Sequence, residues 1–390
     1  MSMSLKKTLL SQRAAGLAPL SVGRLAATAR ERGAVDLASG VPLGNPPEAV
    51  LTAATAAMRA GRNQYAPAAG SPQLRAVVAE RLSRDRAVVV DPEHEVTITS
   101  GATEGVLAAL LACVDPGDEV LVPEPWFESY PGAVRLVGAV PRPVPLTLGD
   151  WRLDTDVIRA AITPRTRAIL LNTPHNPTGR VFSAAEIAAL MEICVRRDIV
   201  CITDEVYDSF VFGRCEMTSP LDLPSAREHV VAVGSFSKSL QMSGWRLGYC
   251  VAPPALSAGL RRVVERTTVC APTPLQEGAA AVSAASSGAE NFRATRDAMV
   301  ERLAGAGLEL FHPEGGWFVW SRIDRVTPLP AAEFAVRLLD EAGVLVAPGP
   351  AFFDDPRDGS RWIRTSFIRD PEIMDQGMKR LENFLRTAAW

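Results

Sequence analysis

Lysine is almost missing from this sequence. Of the 41 lysines and arginines in 390 residues, only Lys6, Lys7, Lys238 and Lys379 are lysines. Arginine carries positive charge nearly everywhere else, and three of the four lysines lie near the chain ends. The mid-chain amine of Lys238 therefore stands where a guanidinium would not serve, because an amine can release its proton and a guanidinium in practice cannot. Other absences narrow the field. No apolar run approaches the roughly 18 residues of a membrane span, and Gln12 and Arg13 interrupt any signal-peptide core. The net charge is −3 and lysines and arginines form no block, which argues against a nucleic-acid or membrane-facing surface. Six cysteines (Cys113, Cys194, Cys201, Cys215, Cys250, Cys270) keep no C-x-x-C spacing, and four histidines (His94, His175, His229, His312) are dispersed. Reduced core thiols and no metal site are expected.

What is there is an ordinary globular composition, 47% hydrophobic and 22% charged, with a length that suits two or three domains or one large α/β fold. Small soluble ligands are the class these exclusions leave. Lys6, Lys7, Arg13, Arg24 and Arg30 precede the first acid, Glu31. That start reads as an amphipathic arm of the mature chain and not as a transit peptide, because the stretch containing Pro19 leads directly into the fold; a cytoplasmic location is expected.

Lys238 lies in Gly234-Ser-Phe-Ser-Lys-Ser-Leu-Gln-Met-Ser-Gly-Trp-Arg-Leu-Gly-Tyr249, just after the apolar run Val230-Val-Ala-Val233. A deprotonated lysine condenses with a carbonyl, and the commonest carbonyl cofactor to use one is pyridoxal phosphate (PLP). Ser235, three residues before, and Arg246, eight after, suit a phosphate monoester. Taken alone, S-x-x-K also fits a solvated lysine on a Ser/Gly-rich loop.

Four further stretches end apolar runs with polar groups. Val96-Thr-Ile-Thr99 runs into Ser100-Gly-Ala-Thr-Glu-Gly105 and then a helical pattern, the arrangement that aims backbone N–H groups at a phosphate, although it is neither a Walker A loop nor a dinucleotide turn. Glu119-Val-Leu-Val122 leads to Pro123-Glu-Pro-Trp-Phe-Glu-Ser-Tyr130, whose aromatics suit either a stacked planar ring or a core. Arg167-Ala-Ile-Leu-Leu171 ends in Asn172-Thr-Pro-His-Asn-Pro-Thr-Gly179, a rigid turn presenting Asn176. Ile199-Val-Cys-Ile-Thr203 precedes Asp204-Glu-Val-Tyr207; an acid there needs a partner if buried, or else caps a helix. Alternating strands and helices place Thr103, Asn176, Asp204 and Lys238 at one edge of one parallel sheet. Elsewhere, residues 38–47 form a Gly/Pro-rich break containing Gly40, either a close backbone approach or a linker turn, and Tyr65 lies in an irregular segment before the N-cap pair Ser71-Pro72. Beyond about residue 285, short strands separated by helices suggest a smaller α+β domain, with Arg364 on an alternating strand whose neighbours Ile363 and Thr365 face the other way.

These motifs, in this order and over nearly the whole chain, resemble the class I, fold-type I, PLP-dependent aminotransferases. Pro174-His-Asn-Pro-Thr-Gly179 and Asp204-Glu-Val-Tyr207 are most like the subgroup that includes kynurenine, glutamine and N-succinyldiaminopimelate aminotransferases. The resemblance implies an α/β fold: a large domain with a mostly parallel sheet flanked by helices, plus a smaller α+β domain. It divides the chain into an arm packing on the small domain (1–40), a PLP-binding domain (41–285) and a small domain (286–390). It implies that Lys238 binds the cofactor, that Gly101, Ala102, Thr103, Ser235 and Arg246 hold its phosphate, and that Phe127 stacks on its ring. Asp204 would keep the ring nitrogen protonated, Asn176 and Tyr207 would share the phenolate oxygen, and Arg364, with the Gly40 backbone, would grip the substrate carboxylate. Tyr65 would reach the cofactor of the neighbouring subunit, which implies a homodimer. The reaction implied is exchange of an amino group between an L-amino acid and a 2-oxo acid, with Lys238 as general base and acid. Trp126, Tyr130 and Trp317 favour an apolar or aromatic side chain. The segment Val41-Pro-Leu-Gly44 departs from the family, which often has an acidic or aromatic residue after G-x-P. PLP lyases and cyclising or β-eliminating enzymes share the same constellation. A PLP-fold sensor fused to a winged helix is not expected, because the fold's elements begin within the first forty residues.

Overall fold

Apolar runs between residues 96 and 251 form strands, and the stretches of helical period between them form the helices that cover the strands. The computed structural model describes residues 9–17, 20–42, 44–86, 88–282 and 289–388; Lys6, Lys7, Pro19, Leu43 and the expected junction at 285/286 lie outside the described residues. In chain order the strands are β1 Val35–Asp36, β2 Val96–Thr99, β3 Glu119–Glu124, β4 Val140–Pro145, β5 Thr166–Asn172, β6 Val200–Asp204, β7 Val230–Ser235, β8 Gly248–Val251, β9 Glu309–Leu310, β10 Phe318–Arg322, β11 Val344–Leu345, β12 Ala347–Pro348 and β13 Trp362–Ser366.

Seven of them make one sheet in the order β2-β8-β7-β6-β5-β3-β4. Its pairs are parallel except where β8 runs against β2 and β7. The strands read as unbroken apolar runs because both faces are covered. Ala168, Leu170, Ile202, Val231 and Val233 pack on helices Ala102–Cys113 and Pro254–Thr267. Their alternates Ile169, Leu171, Cys201, Val230 and Ala232 pack on the opposite face with Ile187, Leu190 and Met191 of helix Ala184–Arg197. A Ser183–Glu186 capping box starts that helix and left-handed Asp198 ends it, so the chain returns to the sheet on schedule. Strands β2, β3, β5, β6 and β7 therefore finish at one edge, and the reversed β8 begins there. Open α/β sheets bind ligands at this edge.

Four of the remaining six strands build a second, antiparallel sheet in the order β12-β13-β10-β9. Helices Ala289–Gly305, Ala331–Ala342 and Pro371–Thr387 pack against it around Phe334, Leu338, Met378 and Leu381. The N-terminal segment is tied to this region by β1, which pairs in parallel with β11 (Val35 with Val344). Simple alternation would leave one face of β13 wet, yet all five of its residues are buried. Ile363 points into the helical core, and Trp362 packs on Trp320 (stacked, 5.6 Å) and Trp151 (5.1 Å). All six cysteines are free thiols, and among the described residues no helix is long and apolar enough to cross a membrane.

Candidate active site

At the shared edge lies a cleft of about 270 Å³, lined by residues from both sheets, among them Lys238, Asp204, Asn176, Arg246 and Arg364. Its chemistry differs from end to end.

One end is built to receive an anion. Thr99 closes β2, Gly101 turns at φ +83°, and helix Ala102–Cys113 begins with its positive dipole end facing the cleft. A Cβ on Gly101 would lie 2.5 Å from Nη2 of Arg246, so only glycine lets the guanidinium lie against this turn. Arg246, itself at φ +54°, donates to the carbonyls of Ser243 (3.1 Å) and Ser100 (3.4 Å). Ala102, Thr103 and Ser235 complete the lining. Ser235 caps the single helical turn Phe236–Ser239 by accepting the Ser237 N–H at 3.0 Å. Lys238 thus stands on a capped turn and not on the open loop that its Ser/Gly-rich surroundings allow.

The middle of the cleft suits a flat ring. Phe127 forms one wall and meets Tyr130 edge-on, with centroids 5.4 Å apart. Asp204, the last residue of β6, reaches the cleft while its own carbonyl accepts from Asn172 Nδ2 at 2.9 Å. Its carboxylate accepts from Tyr130 Oη at 2.8 Å and from the Val206 N–H at 3.2 Å. Burial pushes the Asp204 carboxyl up to about 6 against these two donors. Asn172 also fixes Asn176, accepting its N–H at 2.7 Å. Because Asn176 Oδ1 accepts from Arg364 Nη1 at 2.9 Å, the amide nitrogen is the end left to donate. Tyr207 is buried beside it, its hydroxyl raised by burial and drawn back by Arg364.

Lys238 and Arg364 define the third part. Lys238 Nζ donates to the Gly40 carbonyl at 2.6 Å and stands 4.8 Å over the Trp317 ring. Burial, with Arg364 and Arg246 nearby, brings its amine down to about 8, so a useful fraction is neutral near physiological pH. Arg364 is buried, with its guanidinium 3.9 Å over Phe318, and donates to Asn176 and to the Ala38 carbonyl (2.9 Å). Burial lowers it to about 10, and its Nε has no partner. Arg364 lines the cleft, and a guanidinium there suits a carboxylate. Gly40 is required here, since a Cβ would lie 2.5 Å from Phe318.

Three of the residues singled out in the sequence do not line this cleft. Trp126 does not line the cleft; it is packed in the core with Val106 and Val134, and its backbone N–H donates to the Phe352 carbonyl at 2.8 Å. Its neighbour Phe127 lines the cleft instead. Tyr65 is 81% exposed and outside the cleft of its own chain. Trp317 lines a second cleft of about 320 Å³ on the far side of Lys238, with Phe210, Phe292 and Arg369. Reading the sequence misses Phe318 beneath Arg364, the Ala38 carbonyl and the Tyr130–Asp204 bond, none of which leaves a motif. A larger groove of about 830 Å³ between the last helix and helix Ala289–Gly305 gathers no comparable donors, and its Arg302 is already paired with Glu382 (2.6 Å) and Asp375 (2.8 Å).

The donor set fits PLP: an anion cradle, an amide donor for a phenolate oxygen, a carboxylate for a ring nitrogen and an amine for an aldehyde. Comparison with known proteins agrees. The profile of the family "Aminotransferase class I and II" matches residues 32–381. A probable N-succinyldiaminopimelate aminotransferase of Mycobacterium tuberculosis is 36% identical over 375 residues, covering 92% of this chain and 94% of that protein. The methionine aminotransferase of Escherichia coli is 35% identical, covering 92% and 94%. The solved structure of the N-succinyldiaminopimelate aminotransferase from Mycobacterium tuberculosis superposes with a TM-score of 0.93 at 34% identity, covering 96% of this chain and 99% of that one. The chain therefore belongs to the class I and II aminotransferase family, whose class I members use PLP, and it is a fold-type I aminotransferase.

Proposed function

We propose that this chain transfers the amino group of an L-amino acid with an apolar or aromatic side chain to a 2-oxo acid, using PLP bound through Lys238, as a cytoplasmic homodimer. The observation that carries this reading is the placement of one lowered amine, Lys238, in a single cleft with Asp204 and Arg364.

When bound, PLP supplies an aldehyde for the amines and a protonated ring that draws electrons from the substrate Cα. Arg246, Ser235 and the turn Gly101–Thr103 hold the phosphate. Phe127 supports the ring face, Asn176 and Tyr207 bind the phenolate oxygen, and Asp204 binds the ring nitrogen. Arg364 and the Gly40 backbone orient the substrate carboxylate, which points the Cα–H bond at Lys238. The Lys238 amine would take the Cα proton and return it two atoms further along, at the carbon of the aldehyde. Tyr65, exposed in the single chain, serves the partner's site. The arm (1–40) belongs with the small domain (286–390) around the large domain (41–285), a division supported by the β1–β11 pair.

The relatives' names span N-succinyldiaminopimelate, methionine, aromatic and aspartate substrates, so they do not choose among side chains. The linings favour apolar ones. Phe127, Tyr130, Val206 and Phe318 surround the first cleft, and Phe210, Phe292 and Trp317 the second. Arg369, the guanidinium in the second cleft, is bound to the carbonyls of Asp36, Ser39 and Ile368. Mixing the yellow holoenzyme with single amino acids tests the reaction. Conversion to the pyridoxamine spectrum with stoichiometric 2-oxo acid is expected, with methionine or phenylalanine ahead of aspartate; release of ammonia and pyruvate would instead mean elimination.

A further inference from the structure

Tyr130 touches both the wall and the carboxylate of the ring slot. Its backbone N–H donates to the Phe127 carbonyl at 3.0 Å, and its ring meets Phe127 edge-on at 83°. Its hydroxyl, 74 residues away in sequence from its acceptor, donates to Asp204 Oδ2 at 2.8 Å. We propose that Tyr130 is a positioning residue that keeps the proton shared by Asp204 and the cofactor's ring nitrogen on the nitrogen. The inference rests on the assignment of Asp204 to that nitrogen.

Competing basicities decide where that proton sits. A buried carboxylate facing a pyridine nitrogen shares one proton with it, and low polarity favours the neutral arrangement with the proton on oxygen. A hydroxyl donating to the carboxylate lowers its proton affinity and moves the proton to nitrogen, with no atom gained or lost. Burial keeps the Tyr130 hydroxyl protonated across the working range, so it acts as a standing donor. Of the charged groups around Asp204, Glu205 raises its proton affinity and Lys238 lowers it. Lys238 is no longer a free ammonium once it binds an aldehyde, and Glu205 is paired with Arg86 at 2.7 Å. The phenol and the Val206 N–H are then the fixed donors left to hold the negative charge. A protonated nitrogen is what lets the ring accept electrons, so the effect falls on turnover and not on substrate binding.

The test is Tyr130→Phe, which keeps the ring and the edge contact, reconstituted with ¹⁵N-labelled PLP. Wild type must first turn yellow; if it does not, the reading of the site fails, whatever Tyr130 does. Given yellow holoenzymes, the ring-nitrogen resonance is expected in the pyridinium range for wild type and displaced toward neutral pyridine in Y130F. A kcat loss of about tenfold with KM within twofold should accompany it. A structural role would move stability or cofactor affinity and leave the resonance in place, and identical resonances would overturn the proposal. A second measurement needs no cofactor. The Asp204 carboxyl stretch in the apoprotein, assigned by its loss in D204N, should titrate about one pH unit higher in Y130F, and coincident titrations would equally overturn the proposal.

Discussion

Asp204 and Glu205 are consecutive acids at the end of β6, exposed by only 6% and 4%. They face opposite ways. Asp204 turns to the cleft, where, among the described residues, it has a hydroxyl and a backbone N–H and no cation at bonding distance. Glu205 turns inward, accepting from Arg86 Nη1 at 2.7 Å and from Thr203 and Ser219, in a cluster with Arg81 and Asp208 that anchors helix Pro72–Arg86. Burial raises both carboxyls, and Arg86 works against it at Glu205. A buried acid is therefore not in itself a mark of function. An acid supplied with its own arginine is structural, whereas one supplied only with neutral donors beside a cleft is kept for a cation that arrives with a ligand.

The largest expected effect tests the cleft as a whole. Lys238→Ala should lower turnover by ~10³-fold or more, since it removes the general base. An activity near wild type would remove the cleft's chemistry from the account. Asp204→Asn and Arg86→Met then separate the two acids. D204N should lower kcat by about 10²-fold or more without lowering the melting temperature, because the amide relieves a buried carboxyl. R86M should do the reverse, losing roughly 3–5 kcal/mol by stranding Glu205 while the folded fraction stays active. The comparison breaks if urea melts show D204N to be the less stable protein. Arg364→Lys should reduce kcat/KM by about 30- to 100-fold, mostly through KM, since an ammonium cannot reproduce the planar fork. Equal loss with a carboxylate-free amine as donor would argue against a carboxylate grip. The smallest effect is in pH. With its amine down at about 8, Lys238 is mostly ammonium at pH 7 and mostly neutral at pH 9. Uptake of PLP by the apoprotein should therefore accelerate about fivefold to tenfold over that interval; a flat profile would mean that another step limits it.

Much of this was legible because chemistry here sits at strand ends. Runs covered on both faces must be apolar throughout, so the polar residue that stops each run marks the sheet's edge, and Thr99, Asn172, Asp204 and Ser235 all stop one. Lys238 stood out by the scarcity of lysine and Asn176 by the prolines around it. Contacts made across the chain were hidden. Trp320 opposes Arg364 in the β10–β13 register, yet it is Phe318, two residues back along the strand, that lies under the guanidinium. Loop direction was hidden as well, since no periodicity says which of Trp126 and Phe127 faces the ligand. Tyr130, expected at the substrate, has its hydroxyl on Asp204.

Of the four lysines, Lys238 alone should carry the cofactor. Reducing the PLP-treated protein with borohydride and mapping its peptides by mass should place the whole phosphopyridoxyl label on the peptide containing Lys238, with none on Lys6, Lys7 or Lys379. A label distributed among those three, or no label at all, would contradict it.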